Sequence, residues 1–383
     1  MKRLAIVTTH PIQYNAPLFK LLAERKNIDI KVFYTWGESV LEKKYDPGFG
    51  KVIEWDIPLL EGYEYEFLKN VSKDKGSHHF KGIDNPQIIQ KINDFTPDAI
   101  LIYGWSFKSH LHVLRHYKRK IPIIFRGDST LLNETNPFKS FLRKTFLNWV
   151  YSFIDFALFV GKRNYEYYKK FGIDETKLVY APHVVNNKFF ERANLDILPS
   201  KNNYRIELNI PISSIVFLFA GKLEPTKDPQ LLLDSYISAG LNNSHLVIVG
   251  NGILEQRLKN KFKAYHNIHF IDFQNQSKMP YIYSMADVFV LPSKGETWGL
   301  TVNEAMANGL AIIVSNKCGC APDLVKENEN GYVFNSGNKE DLTEAIKSIA
   351  ANNDKLNSMK IESKNIITKM TLEEVSRVIE SLV

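Results

Sequence analysis

Two glutamates and two lysines carry the most chemical information in the sequence. Glu296 and Glu304 lie in Pro292-Ser293-Lys294-Gly295-Glu296-Thr297-Trp298-Gly299-Leu300-Thr301-Val302-Asn303-Glu304-Ala305-Met306-Ala307-Asn308-Gly309, and Lys222 and Lys227 in Phe219-Ala220-Gly221-Lys222-Leu223-Glu224-Pro225-Thr226-Lys227-Asp228. Carboxylates accept hydrogen bonds from hydroxyl groups, which suits a pair of them to polyol recognition. Fixed ammonium groups suit a phosphate whose negative charge grows as a bond breaks. Taken alone, each of these residues is more often a solvated surface charge, so the flanking residues have to decide.

Those flanks predict where each side chain is carried. The apolar run Val288–Leu291 reads as a strand, a loop of small residues follows, and a helix is expected to begin near Gly299 to Thr301. Backbone N–H groups and the positive end of a helix dipole then face the carboxyl edge of the sheet, an anion site suited to a diphosphate. Glu296 precedes this helix and Glu304 lies about one turn inside it, so one carboxylate can meet a sugar while the other reaches a ribose diol. Lys222 and Lys227 follow a second apolar run, Ile215–Ala220.

The rest of the chain supplies sheets to hold these loops. At 383 residues and 44% hydrophobic composition, it exceeds the usual size of one domain. Leu4–Val7, a helix around Leu18–Glu24 and Asp29–Tyr34 give a strand-helix-strand rhythm, continued by Ala99–Tyr103, Ile121–Phe125 and Phe156–Val160. After a polar stretch from about Asn187 to Asn203 the rhythm restarts with Ile215–Ala220, His245–Val249, His269–Ile271, Val288–Leu291 and Ala311–Val314. Short, continuous apolar runs suit the buried strands of parallel sheets. The expected fold is therefore α/β, with two Rossmann-like doubly wound domains: 1–190, a linker at 191–204, and 205–365. Residues 366–383 hold an amphipathic helix near Leu372–Leu382 that can return to the first domain.

In this context the sequence resembles the retaining glycosyltransferases of family 4, whose signature is two glutamates separated by seven residues in a loop and helix of this composition. Glu296 and Glu304 match it, and Gly221, Lys222 and Lys227 match the family's donor-phosphate element, with Lys222 where arginine is commoner. Val247–Gly252 and Ser315–Asp323 are similar to its next turns, Asp323 replacing a customary glutamate, so the resemblance covers most of 215–335. It implies a GT-B fold, with both domains facing a central cleft, and transfer of a hexose-type sugar from a nucleotide diphosphate-sugar with retention of configuration. Glu296 is then the catalytic residue that positions the sugar, while Gly221, Lys222, Lys227, Gly299, Leu300, Thr301 and Glu304 bind the donor. The leaving diphosphate itself can accept the acceptor's proton. Neither an essential metal nor a further cofactor is expected, since no Asp-x-Asp chelate presents itself.

The N-terminal half, which chooses the acceptor in this architecture, departs further from the family. The first strand is followed by Thr8-Thr9-His10-Pro11-Ile12-Gln13 rather than a glycine-rich turn, and this resembles a subgroup with a His-Pro-Ile-Gln segment. Where many members place a sugar-contacting histidine, the sequence reads Phe125-Arg126-Gly127-Asp128-Ser129. His10, Arg126, Asp128 and His183 are the expected acceptor or sugar contacts. The plainer reading of Arg126 and Asp128 is a pair with each other or a helix cap.

Composition narrows the partners without naming one. A net charge of +7 and a pI near 9.0 favour anionic ligands, but no nucleic-acid motif is recognised. The stretches His110–Lys120 and Pro137–Phe153 are basic and aromatic; Phe141, Phe146, Trp149 and Tyr151 either enter an anionic lipid interface or belong to the core. No apolar run approaches the length of a membrane span and no signal peptide is read, so a cytoplasmic protein is expected, at the inner face of the membrane if lipid is contacted. The expected setting, by family analogy, is bacterial surface-polysaccharide assembly, with a glycan or lipid-linked acceptor. Cys318 and Cys320, the only cysteines, are read as structural. A nonenzymatic nucleotide-sugar sensor or scaffold, and a GT-B epimerase, are the rival readings.

Overall fold

Strands β1 (Lys2–Thr8) and β2 (Ile28–Tyr34) pair in parallel, because each is an apolar run that must be covered on both faces and the helix Ala16–Arg25 provides the crossover. The computed structural model describes residues 1–38, 44–46, 48, 50–132, 137–195 and 199–383. A short two-stranded ribbon, β3 (Lys44–Asp46) and β4 (Lys51–Ile53), precedes β5 (Glu64–Phe67). The first sheet is completed by β6 (Ala99–Tyr103), β7 (Ile123–Arg126), β8 (Phe156–Phe159) and β9 (Leu178–Tyr180), in the order β5-β2-β1-β6-β7-β8-β9. The second contains β10 (Ile215–Ala220), β11 (Ser244–Val249), β12 (Ile268–Ile271), β13 (Val288–Leu291), β14 (Ala311–Ser315) and β15 (Gly331–Phe334), in the order β12-β11-β10-β13-β14-β15. All pairs within both sheets are parallel.

Each sheet has its own core. Val7, Phe33, Ile100 and Phe125 are buried in the first, and Phe217, Phe219, Ile248 and Ile313 in the second. Fully burying such a side chain contributes about 1.5–3 kcal/mol. The edge strands β5, β9 and β15 are absent from the sequence expectations. β5 reads Glu64-Tyr65-Glu66-Phe67, an alternating and partly exposed pattern with little apolar signal.

The chain divides into two compact units. One comprises Met1–Lys44, Pro58–His183 and Leu372–Val383, the other Tyr45–Ile57 and Val184–Thr371. The C-terminal helix Leu372–Ser381 packs in the first unit on Ala16–Arg25, where Arg25 donates to both Glu380 carboxylate oxygens at 2.6 and 2.9 Å. The second unit thus begins upstream of residue 205, and helices Asn187–Leu195 and Pro199–Glu207 occupy most of the stretch expected as a linker. Arg205 is the physical reason. Only 2% exposed, it donates to the carbonyls of Met285, Ile212 and Ser214 and to Asp287 Oδ2, which ties its helix into the second unit.

In each sheet the strand order reverses once, between β1 and β6 and between β10 and β13. Ligands of open parallel sheets bind outside the carboxyl ends of the strands at such a reversal. In the second unit the loops meeting there are 221–228 and 292–299, which hold the candidate lysines and glutamates. In the first they are the turn after β1, with His10, and the turn after β6.

Candidate functional site

The loops of the second unit are joined by their backbones before any side chain acts. Lys294 N–H donates to Thr226 O at 2.8 Å, linking the loops after β13 and β10. Glu296 N–H donates to Lys317 O, and Glu296 O in turn accepts from Gly319 N–H, both at 3.0 Å, which adds the turn after β14. Gly319 permits this approach, since a Cβ there would lie 1.8 Å from Thr297 O. Cys318 and Cys320 are buried free thiols of the same turn; burial pushes Cys318 up to about 12 and Cys320 well above its ordinary value, so neither is a thiolate nucleophile near neutral pH.

On this frame Lys227 Nζ is paired with Glu296 Oε1, which also accepts from Ser293 Oγ at 3.2 Å. The Lys227 and Glu296 side chains remain 25% and 16% exposed, so the pair is oriented by the protein and still open to a ligand. The next turn begins the helix Leu300–Ala307, with Gly299 as its N-cap at φ 105°. Leu300 and Thr301 occupy its first turn, where N–H groups lack intrahelical acceptors and the dipole is positive. Glu304 is 2% exposed and its Oε2 accepts from Tyr283 O–H at 2.7 Å, which fixes the carboxylate one turn behind the helix mouth. Trp298 is likewise fixed, its indole N–H donating to Asn303 Oδ1 at 2.9 Å.

Lys222 follows Gly221 at the end of β10, and its ammonium lies against the segment 45–57 of the same unit: a Cβ at Gly48 would sit 2.6 Å from Nζ. That segment is anchored by Lys51 to Asp272 Oδ2 at 2.8 Å. The Lys51 ammonium and the Asn251 amide hold the Asp272 carboxyl down to about 2. Near Lys227, Lys294 pairs with Asp228 at 3.0 Å, and Asp228 itself has a left-handed φ of 49°. Strain of this kind costs on the order of 1–3 kcal/mol and gathers at functional loops. Tyr283, Ser293, Lys294 and Asp228 were not singled out in the sequence, because nothing in their spacing announces a partner.

The expected acceptor residues of the first unit are arranged differently. Arg126, at the end of β7, is buried and donates to the carbonyls of Ala181 and Pro182 at 3.1 and 3.0 Å, so it neither pairs with Asp128 nor caps a helix. Asp128 instead lies 3.9 Å from His183 Nε2; burial lowers the His183 pKa, with Asp128 opposing the shift. His10 Nδ1 is 2.8 Å from Thr9 Oγ1, and its ring meets Trp36 edge-on at 5.2 Å.

Beneath that edge lies a group the sequence reading passed over. His110 Nδ1 faces the carbonyls of Tyr103 and Gly104 and must carry the proton, so Nε2 is an acceptor; it lies 2.9 Å from Thr35 Oγ1, whose one proton is shared between it and the Thr8 carbonyl at 3.1 Å. Burial pushes this imidazole down to about 4.

Of the aromatics considered for a lipid interface, Tyr151 is core, while Phe146 and Trp149 are exposed, as is Leu142 on the same helix, Pro137–Tyr151. The side chain of Phe141 lies outside the described residues. Among the described residues no helix is long and apolar enough to cross a membrane.

Several known proteins resemble this chain. Residues 200–366 match the family model described as glycosyl transferases group 1. An Escherichia coli protein named as a UDP-Gal:alpha-D-GlcNAc-diphosphoundecaprenol alpha-1,3-galactosyltransferase is 30% identical over 213 residues, 53% of this chain and 51% of that protein. The O-antigen biosynthesis glycosyltransferase WclY of E. coli is 34% identical over 125 residues, 32% of this chain and 34% of that protein. Such matches span about a third to a half of each relative's length. The structure of Anabaena HepE in complex with UDP and glucose superposes with a TM-score of 0.71 at 13% identity, covering 100% of this chain and 99% of that one. Residues 200–366 are thus similar in sequence to the group 1 glycosyl transferases, on a chain whose two parallel-sheet units have the GT-B fold.

Proposed function

We propose that this protein is a retaining glycosyltransferase of family 4 that moves a hexose-type sugar from a nucleotide diphosphate-sugar to a glycan or lipid-linked acceptor. The observation that carries the reading is the pairing of Lys227 with Glu296 beside the N-terminus of Leu300–Ala307. A cation and a helix dipole accept the diphosphate's charge as the anomeric bond breaks, and the carboxylate beside them supports the positive charge that develops on the sugar. Lys222 adds a second ammonium and Glu304 a fixed acceptor for a donor hydroxyl. These groups meet the electrostatic demand of the step, so the reading is metal-independent. The leaving diphosphate takes the acceptor's proton on the face it departs from, which retains configuration.

His10, Asp128 and His183 are assigned to the acceptor side. Arg126 holds the turn that carries His183 through the two carbonyls before it. The names of the E. coli relatives support surface-polysaccharide assembly. Exposed Leu142, Phe146 and Trp149, with Arg115 5.9 Å from the Trp149 ring, support contact with an anionic membrane; a cytoplasmic site at the inner membrane face follows from that assignment.

Thermal stabilisation and donor hydrolysis by a panel of nucleotide-sugars, with chelator present, test the reading. One donor class stabilising the native chain and being hydrolysed, with both effects lost in Glu304→Ala, is the expected result. Stabilisation without transfer to any glycan or lipid-linked acceptor favours a sensor, and no response to any donor overturns the proposal.

A further inference from the structure

Residues 70–85 of the first unit form a loop that its own backbone closes twice. At the neck, Val71 N–H donates to Asp84 O at 2.9 Å, and the buried Asn70 accepts at Oδ1 from the N–H groups of Ser72 and Asp84, both at 3.0 Å. Further out, Gly76 N–H donates to Gly82 O at 3.2 Å and Gly82 N–H to His79 O at 3.1 Å. Gly82 permits this crossing, since a Cβ there would lie 2.1 Å from Gly76 O.

On this closed loop Asp74, His78 and His79 bring their side chains to one point. Asp74 Oδ2 lies 3.4 Å from His78 Nε2 and 3.1 Å from His79 Nε2, and one ligand atom from each residue falls within 4.8 Å of the others. The two imidazoles meet edge to face, with centroids 4.7 Å apart. Room for the His78 ring comes from Gly76, where a Cβ would sit 2.4 Å from His78 Nδ1. Among the described residues no lysine or arginine lies within ion-pair distance of the Asp74 carboxylate.

Two imidazole nitrogens directed at one carboxylate oxygen need either a proton on each nitrogen or a single cation among the three atoms. His79 Nε2 also lies 3.0 Å from the Asp74 carbonyl oxygen, so this nitrogen faces two oxygens with one proton to give. Ligand atoms bound at about 2.0–2.2 Å in a tetrahedron around Zn²⁺ stand about 3.3 Å from one another, close to the spacing of Asp74 Oδ2 from both imidazoles. Nitrogen in two of three positions favours zinc and its neighbours over Mg²⁺ and Ca²⁺, which take oxygen.

We infer that Asp74, His78 and His79 bind a zinc-class divalent cation that clips the tip of this loop, with solvent at the remaining coordination position. These residues take no part in the proposed transfer step, so a metal-independent reaction and a metal-binding loop are compatible in one chain.

Calorimetric titration of ZnCl₂ into the full chain, stripped with chelator and dialysed, tests this against the double variant Asp74→Asn/His78→Gln. Those side chains are 73% and 64% exposed, so the variant keeps its fold. One saturable site is expected, weakened at least about tenfold in the double variant. It should be unchanged in His112→Gln, which removes a histidine outside the cluster. With Co²⁺ as the probe, the native chain should gain visible absorption of tetrahedral intensity that the double variant lacks. Zn²⁺ should also slow tryptic cleavage after Lys73, Lys75 and Lys81, which lie on the same loop. Equal Zn²⁺ affinity in the double variant, no saturation below millimolar metal, or Mg²⁺ binding as tightly as Zn²⁺ overturns the inference. Donor hydrolysis should be equal in the native chain and the double variant; its loss in the variant would place these residues in the reaction and overturn the clip.

Discussion

Along β10, β13 and β14 the backbone builds the site: loops hydrogen-bond to one another, glycines let them meet, and charged side chains are added on top. Along β1, β2 and β6 side chains do the building, through Thr35 on His110, Asn85 on the Thr35 carbonyl and Tyr34 on Tyr63 at 2.6 Å. The first arrangement needs particular residues at particular spacings, because only glycine tolerates the close approaches. The second needs complementary groups that can come from anywhere in the chain. A site of the first kind therefore leaves a linear motif, and a site of the second kind does not.

Substitutions can break this contrast at four points. Gly319→Ala should cost more than about 4 kcal/mol in chemical unfolding, because its Cβ would collide with Thr297 O and no flexible atom can yield. Gly104→Ala, at the edge of the first sheet, meets nothing within 4 Å and should cost only about 1 kcal/mol for its φ of 73°. Similar losses for both would remove the distinction.

Lys227→Ala should lower the rate of donor cleavage by roughly 10²–10³-fold, about 3–4 kcal/mol, as expected for removing one fixed group that stabilises developing charge. Lys294→Ala, whose ammonium is paired with Asp228 and 53% exposed at the side chain, should change it less than about threefold. The ratio of kcat values checks both.

The buried imidazole gives the first unit a pH signature. With its folded pKa near 4, below an unfolded value of about 6.5, His110 contributes stability that is complete above pH 6.5 and lost as pH falls toward 4. The loss approaches roughly 3 kcal/mol, at no more than about 1.4 kcal/mol per pH unit. Unfolding free energies of the native chain and His110→Gln, measured from pH 7 to 4.5, should converge as the pH falls. Parallel curves would show that the imidazole does not report on folding.

The smallest effect concerns its partner. Thr35→Val removes the hydroxyl that bridges His110 Nε2 and the Thr8 carbonyl and should cost about 1–2 kcal/mol, with donor affinity in the second unit unchanged. A change in UDP affinity would mean that the two edges are energetically coupled.

Much of the architecture was legible because buried parallel strands are short apolar runs, so β1, β2, β6, β7, β8, β10, β11, β12, β13 and β14 were found within a residue or two. The edge strands β5, β9 and β15 escaped because short or half-exposed segments lack that signal. The 191–204 stretch looked like a linker on composition. Arg205, one residue beyond it, binds its helix to three carbonyls and a carboxylate that a linear reading cannot bring together.

What the sequence by itself determined is the local layout of the second unit's edge. Strand, glycine, lysines, paired glutamates and helix start are local features, and local features are set by spacing and backbone preference. What only the tertiary structure decided is which charges and polar atoms face each other. Lys227 meets Glu296 across 69 positions, His110 meets Thr35 across 75, and Arg126 spends its donors on carbonyls 55 and 56 residues away. The physical reason is that a buried donor must find an acceptor once water is gone, and packing chooses that acceptor among all the groups the fold brings near.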